Sequence, residues 1–205
     1  MKLTTNMPET AEETSGMTVA RTQWGWVGVA VTTHGICRLI LPQKNKKTAL
    51  KYLKSEMART HSQHAISLAS DRILDPMLGK NHRNDYLNEA IDQLQAYFSG
   101  ERILFDLPID TRYYTRFQQA VWKAAALIPF GETRSYAWIA RKIQNPKSAR
   151  AVGQALGDNP LPIIIPCHRV VNASGALGGF RGGSLMKKKF LTFEAARRQT
   201  RLPAA

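Results

Sequence analysis

Apolar and polar residues along the first half of the chain predict a small sheet followed by helices. Residues 24–31 (WGWVGVAV) and 36–41 (ICRLIL) have the composition of strands, and Thr33-His34-Gly35 between them is a turn signal. These segments therefore predict a β-hairpin. Apolar residues then recur at helical spacing over 44–59 and 85–98, which predicts two helices.

The second half of the chain has a mainly helical pattern. Apolar residues recur at helical spacing over 117–128, and Pro129-Phe130-Gly131 ends this helix. Ser135 is placed to cap a short helix over 136–142, and a further helix follows over 147–156. Two short helices joined by a tight turn form a helix-turn-helix, a weak signal alone because many helical domains contain such a corner.

The helix over 147–156 carries small side chains on its first turns and one long cation, Arg150. The small residues are Ser148, Ala149, Ala151, Gly153 and Ala155. A helix this smooth can lie against a nucleic-acid backbone or enter a shallow groove. It can equally pack on other helices, and the pattern leaves both interpretations open.

The predicted fold class is α+β. We expect a disordered tail over 1–20 and a domain of sheet and helices over 21–108. A mainly helical domain over 109–198 then holds the helix-turn-helix and the candidate active-site cysteine, before a tail over 199–205. The extended segment 105–110, which contains Pro108, is the predicted boundary. With 205 residues, 43% of them hydrophobic, the chain is long enough for one large domain or two small ones.

Composition excludes several classes of protein. The two cysteines, Cys37 and Cys167, cannot form a disulfide framework, and Cys37 is expected to be a buried strand residue. Three histidines (His61, His64 and His82) lack partners at metal-ligand spacing, so we expect loop histidines and no metal or other cofactor. The first 16 residues lack the apolar core of a signal peptide, and no run is long enough to span a membrane. A cytoplasmic protein without a membrane partner is the expectation.

The charge is strongly positive and uneven. The net charge is +14, and residues 101–205 hold 17 Lys and Arg against 6 Asp and Glu, whereas residues 1–100 hold 12 against 9. A basic half indicates a polyanionic partner, nucleic acid first, although a solvated basic surface is common. The run Lys187-Lys188-Lys189 is expected on a solvated helix face.

Cys167 and His168 are adjacent, after the apolar run 163–165 and Pro166. Because proline fixes its own φ and biases the preceding residue toward extended geometry, we expect a buried strand that delivers both side chains in a rigid turn. A thiol reacts as its thiolate, which a nearby base or positive field favours. The pair alone also suits a structural cysteine beside a buried histidine, so both interpretations stay open.

Several motifs, in order, resemble the O6-alkylguanine-DNA alkyltransferases, also called methylated-DNA–protein-cysteine methyltransferases. The central segments are NPLPIIIPCHRVV over 159–171 and GALGGFRGG over 175–183. IPFGET over 128–133, ARAVG over 149–153 and LTFE over 191–194 also match. The resemblance extends from about residue 117 to residue 194, and the first half is similar to the family's N-terminal domain only loosely.

The resemblance implies a single-turnover DNA repair enzyme. Its members move the alkyl group of O6-alkylguanine, and by implication of O4-alkylthymine, from double-stranded DNA to their own cysteine, irreversibly and after flipping the nucleotide. The resemblance implies no cofactor and a monomer. A base stacked in a duplex cannot present its substituent to a side chain, so flipping is physically required.

The resemblance also implies a role for each matched residue. Cys167 is the acceptor, His168 its base through a bridging water, and Glu194 holds the histidine. Asn159 braces the turn, Tyr136 helps to rotate the nucleotide and donates toward the base, and Arg150 fills the gap left in the duplex. The other DNA-binding residues are Ser135, Lys147, Ala149, Ala151 and Gly153, with Arg134 and Arg181 also placed near phosphates. The base pocket is formed around Val170, Phe180, Arg181 and Gly182.

Two positions depart from the family pattern. Phe180 stands where the family usually has tyrosine, so the ring can wall the alkyl pocket without a hydroxyl. Arg181 stands where the residue is often small or polar, and it could contact a phosphate or narrow the entrance.

Two other functions compete with repair. A DNA-binding module could sense alkylated bases without reacting, which an unreactive thiol would favour. A thiol hydrolase would need an oxyanion-hole loop and a separate catalytic histidine, and neither is evident in the sequence. Cys167, His168 and Glu194 together favour alkyl transfer.

Overall fold

A four-stranded sheet forms the N-terminal half of the structure. The computed structural model describes residues 16–64, 72–73, 82–101 and 104–201. Strands β1 (Gly16–Thr22), β2 (Gly25–Thr32) and β3 (Gly35–Gln43) are antiparallel, and the short β4 (Arg72–Ile73) pairs parallel to β1. The strand order is β3-β2-β1-β4. The predicted hairpin of β2 and β3 is therefore present.

Helices cover both faces of this sheet. Helix α1 (Lys46–His64) packs Leu53 and Met57 on the face that carries Ala30, and α2 (His82–Ser99) packs on the face that carries Val29. Because successive strand residues point to opposite faces, a strand covered on both sides is apolar at nearly every position. This arrangement explains why β2 is a continuous apolar run.

The C-terminal half is mainly helical. Its helices are α3 (Arg116–Ala126), α4 (Tyr136–Lys142), α5 (Ala149–Gly157) and α6 (Gly183–Arg201), with a 3₁₀ turn at Cys167–Arg169. Strands β5 (Arg134–Ser135) and β6 (Val170–Val171) pair in parallel. The fold class predicted from the sequence is confirmed, and α4 with α5 forms the helix-turn-helix.

The two halves share one apolar core. Buried residues of β2 and α2 pack in the same cluster as Trp122, Ile139 and Phe190 from the helical half. A backbone hydrogen bond from the amide of Leu39 to Pro160 also joins them, and the amide of Ile36 donates to Pro108 of the connector. The sheet therefore supports the segment that leads to Cys167.

Two predicted boundaries and the predicted location of three histidines differ from the structure. Strand β1 begins at Gly16, inside the tail predicted over 1–20, because residues 16–20 pair with β2; residues 1–15 lie outside the described residues. Helix α6 continues to Arg201, into the tail predicted over 199–205, and the sequence after Gly183 has no proline before position 203 to stop it. The expected loop histidines fall in helices, His61 and His64 in α1 and His82 at the start of α2.

Two further properties concern the described residues alone. None of their helices is long and apolar enough to span a bilayer. Within the same ranges, no group of three or more His, Cys, Asp or Glu side chains is placed to hold a metal ion.

Cys37, expected to be buried, is only partly buried.

Candidate active site

The segment before Cys167 is a tight turn, and the strand expected over 163–165 was wrong. The amide of Ile165 donates to the carbonyl of Leu161 at 2.8 Å, and Ile163 has a φ of 80°. Prolines at 160, 162 and 166 have no N–H to donate to a strand ladder. The chain therefore closes on itself, in a φ region that is rare for a β-branched residue.

Asn159 holds this turn and contacts the thiol. Its side-chain oxygen accepts from the amide of Leu161 at 2.9 Å. Its Nδ2 donates to the carbonyl of Ile165 at 2.8 Å and to Cys167 Sγ at 3.1 Å. The side-chain amide of Asn159 thus contacts both the turn and the sulfur.

Cys167 is buried but lines a cavity of about 480 Å³. Burial raises the pKa of the thiol, while the hydrogen bond from Asn159 and the charges of Lys187 and Arg181 act in the opposite direction. The effect of burial on the pKa is the larger one, so Cys167 is mainly a thiol in the free protein at neutral pH. A base must therefore remove the proton before the sulfur can act as a nucleophile.

His168 is held by Glu194, which comes from α6. The distance from His168 Nε2 to Glu194 Oε1 is 2.9 Å, and both side chains are fully buried. Burial lowers the pKa of His168, although Glu194 opposes this effect, so the ring is neutral at pH 7. Because a carboxylate only accepts hydrogen bonds, Nε2 carries the proton and Nδ1 has the lone pair of a base.

Glu194 accepts hydrogen bonds from several parts of the fold. Arg169 binds it through two nitrogens, at 2.8 and 2.9 Å, and the amide of Gly131 donates at 3.1 Å. The hydroxyl of Tyr97 donates to it at 2.7 Å. Burial alone would raise the pKa of Glu194, but His168 and Arg169 outweigh burial and hold it well below its usual range. Glu194 is therefore ionised at neutral pH.

The cysteine cavity brings together most of the residues that the resemblance implies. Its wall includes Cys167, Tyr136, Arg150, Gly153, Phe180 and Arg181. His168 and Asn159 do not line this cavity, although Asn159 contacts the sulfur of Cys167. Val170 and Gly182 were also expected in the pocket, and neither lines this cavity. Val170 is fully buried in β6, and Gly182 packs toward Leu41 of the sheet.

The residues expected to bind DNA through the helix-turn-helix lie in or next to α4 and α5. Ser135 caps α4, since its hydroxyl accepts from the amide of Trp138 at 3.1 Å. Ala149, Ala151 and Gly153 of α5 are each half-buried, while Arg150 and Lys147 are exposed. Tyr136, the first residue of α4, packs its ring near Gly153 and near Gly178 of the pocket loop.

The run Lys187-Lys188-Lys189 was expected on a solvated helix face, and this expectation was wrong for Lys187. Its side chain is fully buried, and its Nζ donates to the carbonyls of Val170 at 2.6 Å and Gly179 at 3.2 Å. Burial lowers its pKa to about 8. Lys188 and Lys189 are exposed, as expected. The sequence gives no signal for this difference, because three consecutive lysines look equivalent until the packing of α6 selects one.

Two arginines expected near phosphates have partners within the protein. Arg134 donates to Glu132 at 2.7 Å. Arg181 donates to Glu56 of α1 at 2.7 Å and to the carbonyl of Gly157 at 3.1 Å. The positive charge of Arg181 is thus directed toward the N-terminal half.

Two family models match the chain. One is described as 6-O-methylguanine DNA methyltransferase, DNA binding domain, and matches residues 116–196. The other is described as 6-O-methylguanine DNA methyltransferase, ribonuclease-like domain, and matches residues 18–111. Their border falls beside the connector over 105–110.

Individual proteins are similar as well. The methylated-DNA–protein-cysteine methyltransferase of Mycobacterium tuberculosis is 56% identical over 108 residues, which are 53% of this chain and 65% of that protein. A crystal structure of the O6-methylguanine methyltransferase of M. tuberculosis has a TM-score of 0.68 at 37% identity, covering 93% of this chain and 96% of the other. A structure of M. tuberculosis OGT in complex with DNA has a TM-score of 0.64 at 36% identity, covering 89% and 94%.

Proposed function

Because this chain belongs to the 6-O-methylguanine DNA methyltransferase family, we propose that it removes the alkyl group from O6-alkylguanine in double-stranded DNA and keeps it on Cys167. The observation that carries the proposal is the position of Cys167. Cys167 lines a cavity, and the next residue, His168, is neutral because it is buried, while its contact with Glu194 leaves Nδ1 as the acceptor.

The reaction is an in-line displacement by sulfur at the alkyl carbon. His168 takes the thiol proton through a water, and the thiolate then forms the S–C bond while the C–O6 bond breaks. The electron pair of that bond goes to guanine, which takes a proton from the hydroxyl of Tyr136. The thioether has no easy reverse reaction, so each molecule acts once.

Binding to DNA precedes this step. The small residues of α5 allow the helix to approach the duplex closely, and exposed Arg150 at the edge of the cavity fills the place of the flipped nucleotide. Lys147 and the basic surface contribute phosphate contacts, so binding weakens as salt rises. O4-alkylthymine presents the same kind of exocyclic oxygen–alkyl bond and is the second substrate. The protein acts as an intracellular monomer.

One observation favours a second candidate, a sensor that binds alkylated DNA without reacting. Burial raises the pKa of Cys167, which makes the resting thiol a poor nucleophile. Alkyl transfer remains the better proposal, because neutral His168, next to the cysteine in the chain, has a buried Nδ1 that lacks a hydrogen-bond partner among the described residues and can accept the thiol proton.

A single-turnover assay separates these functions. A duplex with one O6-methylguanine is incubated with the protein, and the mass of the intact protein is then measured. We expect a gain of one methyl group per molecule, absent in Cys167→Ala and retained in the matched control Cys37→Ala. Tight binding without a mass gain would establish the sensor instead.

A further inference from the structure

A second cavity of about 410 Å³ meets the cysteine cavity at Arg181. Its lining comes mostly from β3 and α1, and includes Leu39, Leu41 and Tyr52, with Pro162 from the turn before Cys167. Among the residues that the structure describes, Arg181 is the only one that lines both cavities. The size of the side chain at position 181 therefore determines whether the two cavities are separate or continuous.

An ion pair fixes Arg181 in place. Glu56 Oε2 lies 2.7 Å from its guanidinium, which also donates to the carbonyl of Gly157, so the side chain bridges α1 and the end of α5. Glu56 is nearly buried. Burial alone would raise the pKa of Glu56, but Arg59, Arg181 and Arg38 outweigh it and lower the pKa. The carboxylate that holds Arg181 is therefore charged at neutral pH.

We infer that Arg181 is the specificity-determining residue for the size of the alkyl group. The inference rests on the proposed transfer to Cys167. A methyl group needs only the space beside the sulfur, so the size of the side chain at position 181 does not limit its entry. A long substituent on the same oxygen extends toward the second cavity, where it meets the Arg181–Glu56 pair. Admitting it requires that pair to break, which leaves a nearly buried carboxylate with fewer partners.

The second cavity also has the character of a site for an apolar chain. Leu39, Leu41 and Pro162 provide apolar surface, and Tyr52 also lines the cavity. When a small residue replaces Arg181, the distal part of a large O6 substituent can therefore move out of water into this space. The class of substrate thereby gained is guanine with a long arylalkyl group on O6.

The test compares two lesions in the same duplex. Single-turnover rate constants are measured for O6-methylguanine and O6-(4-phenylbutyl)guanine at one position, and their ratio is taken. Loss of a phosphate contact would slow both reactions equally, so the ratio reports the pocket alone. We expect Arg181→Ala to raise the ratio of phenylbutyl to methyl transfer by about ten-fold or more, since one or two methylenes in a pocket change rates by this order. Glu56→Gln raises it less, and Lys54→Ala, an exposed cation of α1, leaves it unchanged.

The outcomes are distinct. An unchanged ratio in Arg181→Ala, with methyl transfer intact, would overturn the inference and leave the proposed function standing. Equal transfer of both groups by the unmodified protein would overturn it as well. No methyl transfer by the unmodified protein would overturn the proposed function, and the inference with it.

Discussion

The hydroxyl of Tyr97 donates a 2.7 Å hydrogen bond to Glu194, and so joins a helix of the N-terminal half to the carboxylate that holds His168. Tyr97 is fully buried, and its ring packs among the rings of Phe98, Phe105, Phe130, Phe190 and Phe193. The N-terminal half therefore helps to build the active site as well as supporting it.

Tyr97→Phe tests this relationship, because it keeps the ring and removes only the donor. A hydrogen bond to a charged group contributes about 1.5–3 kcal/mol, and we expect a loss of this size in the free energy of unfolding. Urea denaturation measures it. Tyr86→Phe, a half-buried tyrosine of the same helix, serves as the control. Equal losses in the two variants would show that the bond to Glu194 adds nothing.

The ionisation of Glu194 predicts a dependence of stability on pH. Its pKa is lowered in the folded protein, so the stabilisation is complete above the unfolded glutamate pKa of about 4.3 and is lost as the pH falls below it. Between pH 5.5 and 3.5, the free energy of unfolding should therefore fall more steeply for the unmodified protein than for Glu194→Gln. Exposed Glu101 gives the control, and Glu101→Gln should follow the unmodified protein. Parallel curves for all three proteins would contradict the prediction.

Gly178 is the contact point for Tyr136 in the pocket loop. It has a φ of 67°, and a Cβ there would lie 2.6 Å from the tyrosine hydroxyl oxygen. Gly175 has a similar φ of 83° with nothing within 4 Å, so its alanine variant bears the same backbone strain without the collision. We expect Gly178→Ala to slow single-turnover methyl transfer at least about ten-fold, a factor equivalent to 1.4 kcal/mol. Gly175→Ala should react at nearly the normal rate, and similar rates in both variants would sink the prediction.

The elements that the sequence predicted correctly depend on short-range features such as turns and helix caps. The turn Thr33-His34 and the capping hydroxyl of Ser135 act over a few residues, and the structure has the hairpin and helix that they predict. The turn over 161–165 was missed because it depends on the side chain of Asn159 and on three prolines acting together.

Local sequence patterns cannot predict contacts between residues that are far apart in the chain. Tyr97 lies beside the predicted apolar stripe of its helix, and nothing in the sequence connects it with a carboxylate 97 positions later. Lys187 differs from its two neighbours only through the way α6 packs on β6. The partners of both residues can be identified only from the tertiary structure.

Lys187 is predicted to assist ionisation of the thiol at neutral pH. Its charge lowers the pKa of Cys167, and its own pKa of about 8 means that this help disappears as the pH rises above that value. Lys187→Met should therefore slow iodoacetamide alkylation of Cys167 at pH 6.5 and much less at pH 9.5. Lys188→Met, the exposed neighbour, should match the unmodified protein at both values. A rate difference that is the same at both values would rule out the electrostatic role.

Arg150 is predicted to stabilise the duplex from which the nucleotide has been flipped, and to have no part in the alkyl-transfer step itself. It is exposed at the edge of the cysteine cavity, where it can occupy the gap left by a flipped nucleotide and offset part of the unstacking cost of a few kcal/mol. A single strand has no such gap. Arg150→Ala should therefore slow methyl transfer from duplex DNA about ten-fold more than from a single strand of the same sequence, in line with a change of 1.4 kcal/mol. Arg141→Ala removes an equal charge from the end of α4 and should leave the ratio of the two rates unchanged. If Arg150→Ala slows both substrates equally, Arg150 contributes charge alone and does not fill the gap.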